Sequence, residues 1–295
     1  MNSDRNIEEM DHSSFRAIAE LAYSESGLQL VAEKTSMIQS RLRNRVRAVG
    51  LNTFKTYAEF VCSDEGIPER LHMISALTTN VSHFFREKHH FDILSSAILP
   101  SVIERVRKGD PFRIWSAGCS NGQEAYSIAM TALEAFPDIA SLDFKVLATD
   151  IDPEVVRFAS KAEYPERLIG GIPKTLLQKH FVHQEQKGEI FFAATSKLKS
   201  QVVFKELNLL GKWPMKKRMD VIFCRNVVIY FDGQTQNQLW SRFHSLLDKN
   251  GKLFLGHSER IAEPGLSGFV NDGPTSYRPK LIGEKTLRGG ISYVT

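Results

Sequence analysis

The stretch FRIWSAGCSNGQEAYSIAMTALEAF, at residues 112–136, predicts a β-strand, a glycine-rich turn and an α-helix in direct succession. The short, mainly apolar run from Phe112 to Ala117 is typical of a buried strand, and Gln123 to Phe136 fits an amphipathic helix. The turn between them, Gly118 to Gly122, consists of small residues, which let backbone N–H groups and a helix N-terminus approach a polar ligand closely. A tight turn without a ligand explains the same residues equally well, so the stretch predicts a fold and not yet a function.

The alternation of strand and helix continues on the C-terminal side of this stretch. It predicts an open parallel sheet with helices on both faces, in which ligands bind beyond the carboxyl ends of the strands. We predict further strands at Phe144 to Thr149, Val221 to Cys224 and Lys252 to Leu255, and further helices at Pro153 to Ala162 and Gln234 to Leu247.

The alternation breaks between Tyr164 and Leu207. Two predicted strands in this region, Glu189 to Ala194 and Gln201 to Lys205, have no crossover helix between them. Parallel neighbours require such a crossover, so we expect a small antiparallel β-subdomain inserted at about 165–205.

The N-terminal part of the chain has a helical pattern. From Phe15 to about Leu77, apolar residues recur at intervals of three and four, and no alternating run interrupts them. Gly50 is placed to end one helix, and Pro68 to open a later one. We therefore predict an all-α domain at 1–80, followed by an α/β domain at 81–295.

Composition favours a globular, cytoplasmic protein. Of the 295 residues, 42% are hydrophobic, and no run reaches the length of a membrane span, so we expect no membrane insertion. The acidic, polar start does not resemble a targeting peptide. The three cysteines, Cys62, Cys119 and Cys224, are too far apart for a C-x-x-C metal site, and we expect reduced thiols.

The second predicted strand ends in a carboxylate, at Asp150. A carboxylate at this place can accept both hydroxyls of a ribose, although Asp150 and Asp152 could also simply cap the next helix. We interpret Asp152 as the cap. The spacing from the glycine turn suits a nucleoside but does not distinguish a dinucleotide from S-adenosylmethionine, so a dehydrogenase remains possible on these residues alone.

Four sequence blocks resemble the CheR-type chemotaxis receptor methyltransferases. The blocks are TTNVSHFFR at 78–86, GCSNGQEAYS at 118–127, ATDID at 148–152 and CRNVVIYF at 224–231, with supporting blocks YPER at 164–167, FKELNLL at 204–210 and LFLGHSE at 253–259. The resemblance covers nearly the whole chain. It implies a Rossmann-like class I methyltransferase domain with a small antiparallel β-subdomain, preceded by an all-α domain.

The resemblance also implies S-adenosylmethionine as the cofactor, without a metal. It places the following residues at the cofactor: Asn80, Ser82, Arg86, Glu124, Asp150, Asn208, Leu209, Arg225 and Asn226. Their chemistry agrees, because Glu124 can meet an ammonium group and Arg86 can pair with a carboxylate through its fork of N–H donors. The chain departs from the family pattern at Gln123 and Ala125, where an acid and a proline are common. Ser82 replaces a common threonine and keeps its hydroxyl.

The activity that the resemblance implies is methyl-ester formation on glutamates of the cytoplasmic domain of chemotaxis receptors, which tunes signalling in adaptation. A glutamate is already ionised at neutral pH, since its reference pKa is about 4.3, so no general base is needed. We expect positioning to dominate catalysis, with Arg86 and Tyr230 as orienting groups. A packing aromatic and a surface arginine are the alternative interpretations of these two residues.

A basic stripe on one predicted helix is the candidate for receptor docking. It contains Arg41, Arg43, Arg45 and Arg47. Such charge runs are commonly solvated faces, but the resemblance implies that the helical domain faces acidic receptor helices, which favours docking. We expect no nucleic-acid partner, because aromatic residues are not interleaved with the basic ones.

Two other function classes fit the chain less well. One is a methyltransferase for another acceptor, and the other is a receptor-binding adaptor with a decayed site. Asn80, Arg86, Glu124, Asp150 and Asn226 are intact, which argues against the adaptor. His180 and His183 could share a metal, but no third ligand lies at a useful spacing.

Overall fold

The computed structural model describes residues 9–78, 81–186 and 188–281. The N-terminal part is a bundle of helices: α1 at His12–Ser26, α2 at Thr35–Ala48, α3 at Phe54–Cys62 and α4 at Ile67–Leu77. Asp11 caps α1 by accepting the N–H of Ser14 at 2.8 Å, and Gly27 ends it in the left-handed conformation, with φ of 72°.

The helical spacing of apolar residues that the sequence predicts is confirmed, because these residues form the buried faces of the helices. Ile38, Leu42 and Val46 of α2 are fully buried against the other helices. Gly50 follows α2 with φ of 74°, and Pro68 lies in the first turn of α4, both as predicted. No helix in the described ranges is both long enough and apolar enough to cross a bilayer.

A mixed sheet forms the centre of the second part of the chain. Its strands are β1 at Phe112–Ala117, β2 at Phe144–Asp150, β6 at Val202–Glu206, β7 at Met219–Cys224, β8 at Leu247–Leu255, β9 at Phe269–Asn271 and β10 at Ser276–Pro279. Among the described residues the order is β6-β2-β1-β7-β8-β10-β9. Neighbours from β6 to β8 run parallel, whereas β10 pairs antiparallel with β8 and β9. The parallel part of the sheet is as predicted, whereas the antiparallel edge formed by β10 and β9 was not predicted.

A second, smaller sheet carries β3 at Glu163–Pro165, β4 at Phe181–Gln186 and β5 at Glu189–Ala194, in the antiparallel order β3-β5-β4. The prediction that Gln201 to Lys205 belongs to this insertion was wrong. Those residues form β6, which pairs parallel with β2, Val202 lying opposite Val146. The short helix α10, Ser196–Lys199, turns the chain from β5 back to the edge of the main sheet.

Helices cover both faces of the main sheet, as predicted. They are α5 at His89–Ile93, α6 at Leu99–Arg107, α7 at Gln123–Ala135, α8 at Pro153–Lys161 and α11 at Gly233–Leu246. A further helix, α9 at Lys174–His180, packs against β4 of the smaller sheet. A π-helical segment, Leu94–Ile98, joins α5 to α6. The division between 1–80 and 81–295 stays a prediction, since residues 79 and 80 lie outside the described ranges.

The strand order reverses between β1 and β7. From β1 the chain proceeds through β2 to β6 on one side, and β7 and β8 lie on the other. Crossovers therefore leave in opposite directions at this point, which opens a crevice at the carboxyl ends of the two strands.

Candidate active site

A cleft lies where the helical domain meets the carboxyl ends of β1, β2, β6 and β7. Residues of both the helical domain and the sheet domain line it, among them Ser26, Ile74 and Thr78 from the helical side. The described residues that we predicted for the site all line it: Ser82, Arg86, Glu124, Asp150, Asn208, Leu209, Arg225, Asn226 and Tyr230. Asn80 lies outside the described residues.

The glycine turn forms the floor of the cleft. The N–H groups of Gly118 and Cys119 donate to the carbonyl of Thr149 at 2.8 and 2.9 Å, which ties the end of β1 to the end of β2. Gly118 has φ of 81°, and a Cβ there would lie 2.4 Å from Cγ2 of Val227. The glycine is therefore required by close packing as well as by its conformation.

Asp150 stands at the tip of β2 with its carboxylate inside the cleft. Its Oδ2 accepts the N–H of Ser120 at 2.8 Å, and its Oδ1 accepts the N–H of Asp152 at 3.1 Å. Burial raises the pKa of Asp150, and these two N–H groups oppose that shift. A carboxylate has about four acceptor positions, so Asp150 keeps acceptor capacity for a ligand.

Glu124 lies in the first turn of α7 and forms a buried ion pair. Its Oε2 lies 3.2 Å from Nη1 of Arg225, and its Oε1 accepts the hydroxyl of Ser116 at 2.7 Å. Burial raises the pKa of Glu124, while Arg225 and Ser116 favour its charged form. A cation bound beside Glu124 would favour the charged form further.

Arg225 also connects its ion pair with Glu124 to Arg86 and Glu87, which lie in the segment between the helical domain and α5. Its Nη2 donates to the carbonyl of Arg86 and lies 3.4 Å from Oε2 of Glu87. The segment is tightly bent there, since Phe85 and Glu87 have φ of 54° and 56°. Arg225 therefore holds the backbone of Arg86 against the carboxyl end of β7.

The side chain of Arg86 remains 30% exposed at the cleft wall. Its Nη1 donates to the carbonyl of Val81 at 3.3 Å, and its Nε lies 4.0 Å from Glu87. Tyr230 reaches the cleft from the other side and packs partly against the helical core. The backbone carbonyl of Tyr230 accepts the N–H of Gln29 at 2.9 Å.

Asn208 is largely engaged within the protein. Its Nδ2 donates to the carbonyl of Glu25 at 2.7 Å, and its Oδ1 accepts the N–H of Leu210 at 2.9 Å. These bonds place the amide in the junction with α1, at the edge of the cleft, and one N–H of the amide is left for a ligand.

The predicted cap at Asp152 is confirmed, and it has a second contact. Its Oδ1 accepts the N–H of Glu154 at 2.8 Å, at the start of α8. Its Oδ2 accepts the hydroxyl of Ser75 in α4 at 2.6 Å. Asp152 therefore also joins the helical domain to the sheet beside the cleft.

Comparison with known proteins identifies the chain. Residues 80–271 match the family described as CheR methyltransferase, SAM binding domain, and residues 13–78 match CheR methyltransferase, all-alpha domain. The chain belongs to the CheR methyltransferase family. The resemblance inferred from the sequence blocks is confirmed, and so is the fold class.

Relatives in this family match over most of their length. A probable chemotaxis protein methyltransferase from Rhizobium etli is 44% identical over 267 residues, which are 90% of this chain and 100% of the relative. The chemotaxis protein methyltransferase of Borreliella burgdorferi is 40% identical over 249 residues, 83% of this chain and 87% of the relative. That of Escherichia coli is 37% identical over 254 residues, 86% of each chain.

The cleft of this CheR family member is chemically suited to S-adenosylmethionine, which carries ribose hydroxyls, an α-ammonium and an α-carboxylate. The wall offers two carboxylates for the hydroxyls and the ammonium, Asp150 and Glu124, and an arginine for the carboxylate, Arg86. Apolar residues fill much of the remaining wall, among them Leu28, Ile74 and Phe91. An adenine ring can pack against such a surface.

Gln123, one of the two departures from the family pattern, is buried. Its Nε2 donates to the carbonyl of Ser82 at 3.3 Å. An acid at this position has no N–H to donate to that carbonyl. Gln123 thus fastens the Ser82 segment to α7 by a bond that the common acid does not make.

The four predicted docking arginines differ in their surroundings. Arg45 donates through Nε to Oε1 of the buried Glu69 at 2.8 Å, and Arg41 donates to the carbonyl of Leu77. Both therefore stabilise the helical domain internally. Arg43 is half-buried and Arg47 is exposed on the outer side of α2. Docking stays a prediction, and its most accessible member is Arg47.

The residue that sequence reasoning missed is Glu259, which ends the supporting block LFLGHSE but was given no role in the site. It lies buried behind the loop that carries Arg225 and Asn226, and it accepts backbone N–H groups from that loop. The signal available in the sequence was an acid four residues after the end of an apolar strand, separated from Leu255 by Gly256 and two polar residues. In the described residues, no group of three or more His, Cys, Asp or Glu side chains could hold a metal. His180 instead contacts Glu134 at 2.7 Å.

Proposed function

We propose that this protein transfers the methyl group of S-adenosylmethionine to glutamate side chains in the cytoplasmic domain of chemotaxis receptors, and that it acts in the cytoplasm. The observation that carries the proposal is the convergence of Glu124, Asp150 and Arg86 on one cleft. The names of the relatives support a chemotaxis substrate, since those proteins are chemotaxis protein methyltransferases.

Several residues of the cleft would hold the cofactor. We assign the ribose to Asp150, the ammonium to Glu124 and the α-carboxylate to Arg86, because opposite charges and hydrogen-bond partners match in each case. Other contacts would come from Asn80, Ser82, Asn208, Leu209, Arg225 and Asn226. When bound, S-adenosylmethionine supplies a methyl group on a positively charged sulfur, which an oxygen nucleophile can take directly.

The acceptor carboxylate needs orientation and not deprotonation. At neutral pH it already carries the electron pair that forms the new bond to carbon. Arg86 is partly exposed at the cleft and Tyr230 also lines it, which supports both as the groups that orient the incoming carboxylate. Holding reacting atoms about 3 Å apart can lower the barrier by several kcal/mol.

A methylation assay tests the proposal. We expect purified receptor cytoplasmic domains to gain label from methyl-labelled S-adenosylmethionine, and mild alkali to release that label as methanol, because only esters hydrolyse under these conditions. Receptor domains whose acceptor glutamates are replaced by alanine provide the control. Label that survives alkali would indicate a nitrogen acceptor, and the absence of label with every chemotaxis receptor tested would contradict the receptor assignment.

Two substitutions test the orienting groups. Arg86→Ala and Tyr230→Phe should each slow methyl transfer by at least about tenfold, since small losses of positioning can cost up to about 10²-fold. Thermal stability should stay close to that of the parent, because the backbone carbonyls of Arg86 and Tyr230 keep their partners in both variants. Tyr23→Phe is the matched control, because its hydroxyl bonds Asp232 outside the cleft. A variant that melts several degrees lower and keeps its activity would contradict the assigned role.

The docking prediction is tested with the half-buried Arg43 and the exposed Arg47, because Arg41 and Arg45 bond to other residues of the helical domain. We expect Arg43→Glu with Arg47→Glu to raise the KM for receptor and to flatten its salt dependence, because exposed charges mainly accelerate association and are screened within about 8 Å. Affinity for the cofactor should stay unchanged. Lys55→Glu with Lys108→Glu gives the same change of net charge on exposed residues elsewhere. If the two double variants have the same KM for receptor and the same salt dependence, the basic side of α2 is only a solvated face.

A further inference from the structure

The loop after β7 has an unusual backbone. Asn226, which lines the cleft, has φ of 60°, a left-handed conformation that is costly for residues other than glycine. Residues Val228 to Tyr230 then form a short 3₁₀ turn. Such a loop directs several successive N–H groups to one side, where they form a concave binding place for an anion.

The anion is supplied from within the chain, by Glu259. Its Oε2 accepts the N–H of Asn226 at 2.8 Å and that of Gly256 at 2.6 Å. Its Oε1 accepts the N–H of Val228 at 2.8 Å and that of Ile229 at 3.3 Å. One carboxylate thereby satisfies four N–H groups at a place where water has little access, since Glu259 is 3% exposed.

Gly256 makes room for this arrangement. A Cβ on Gly256 would lie 2.5 Å from Nδ2 and 2.7 Å from the backbone nitrogen of Asn226. The turn from Gly256 to Glu259 is closed by the N–H of Glu259, which donates to the carbonyl of Gly256 at 2.9 Å. The two residues therefore enclose Asn226 from behind, while its other side faces the cleft.

We infer that Glu259 is a positioning residue for the cofactor, which acts through the left-handed backbone of Asn226 and through the loop that joins Arg225 to Tyr230. The inference rests on the proposed function of the cleft. Without the carboxylate, four buried N–H groups would lose their acceptor, and these bonds would no longer stabilise the left-handed backbone of Asn226. Arg225 would keep its own partners, but the Asn226 side chain and the turn that leads to Tyr230 would shift in the cleft wall.

The electrostatics of Glu259 agree with this role. Burial raises the pKa of its carboxyl, and the N–H groups of Gly256 and Asn226 oppose that shift. Among the described residues, its hydrogen bonds come from backbone N–H groups and not from a cationic side chain. A neutral isostere should therefore test the role directly, since an amide NH₂ group cannot accept from an N–H group.

The experiment measures the affinity for S-adenosylhomocysteine by calorimetry in the parent protein and in Glu259→Gln. We expect the Kd to rise by roughly tenfold or more, because at least one N–H group loses its acceptor at the loop that shapes the site. Asp220→Asn is the matched control, because Asp220 is a largely buried carboxylate near the N-terminal end of β7, at the opposite end of that strand from the loop. It accepts the N–H of Arg113 at 2.7 Å and pairs with Arg105. Both variants should melt at lower temperature, but only Glu259→Gln should lose affinity.

Equal affinity in the parent and a folded Glu259→Gln would overturn the inference, and so would an equal loss of affinity in Asp220→Asn. If Glu259→Gln does not fold, hydrogen exchange in the parent decides. The amides of Asn226 and Val228 should be protected without ligand, and exchange at the rate of an unstructured peptide would overturn the inference. A parent protein that does not bind S-adenosylhomocysteine would contradict the proposed cofactor site, whereas the exchange measurement would still test the contacts of Glu259.

Discussion

The buried guanidinium of Arg225 is the interaction on which the site depends. It forms an ion pair with Glu124 of α7 and donates to the backbone carbonyl of Arg86, so it joins a helix, a strand end and the segment between the domains. Removing a charge from water is costly, and here two carboxylates and a carbonyl beside the Nη atoms offset that cost. The three elements are therefore constrained to meet at one place, where the cleft opens.

The helical domain completes the cleft and is more than an attached docking module. Asn208 bonds the carbonyl of Glu25, Asp152 bonds the hydroxyl of Ser75, and the carbonyl of Tyr230 accepts the N–H of Gln29. These bonds fix α1 and α4 against the carboxyl ends of the strands. A cofactor in the cleft would thus contact both domains, which excludes water from more of its surface than the sheet alone could cover.

Much of the fold could be predicted from local pattern, because strand and helix periodicity are properties of neighbouring residues. The strand Phe112–Ala117 and the buried face of α2 follow directly from it. The partner of a strand does not, which is why β6 was assigned to the wrong sheet: a single apolar run has no feature that selects a parallel or an antiparallel neighbour. The antiparallel edge was missed for another reason: β9 and β10, of three and four residues, are too short to show a recognisable pattern.

The site residues that the structure describes could be predicted from their chemical type and from sequence motifs, because they stand at strand ends or in recognisable blocks. Their hydrogen-bond partners were beyond prediction. Arg45 reads as an exposed cation, yet Glu69, far along the chain, takes up its N–H donors. Glu259 likewise reads as a surface acid after a strand, and only the tertiary fold brings it to the left-handed backbone of Asn226.

The central claim is that the cleft between the helical domain and the sheet binds S-adenosylmethionine through buried carboxylates. The most direct measurement is a calorimetric titration of S-adenosylhomocysteine into the parent protein and into Asp150→Ala. Because the variant removes hydrogen bonds to a charged group, the account predicts a loss of about 1 to 3 kcal/mol in binding free energy. Unchanged affinity would contradict it and would leave Asp150 with only its structural bonds to Ser120 and Asp152.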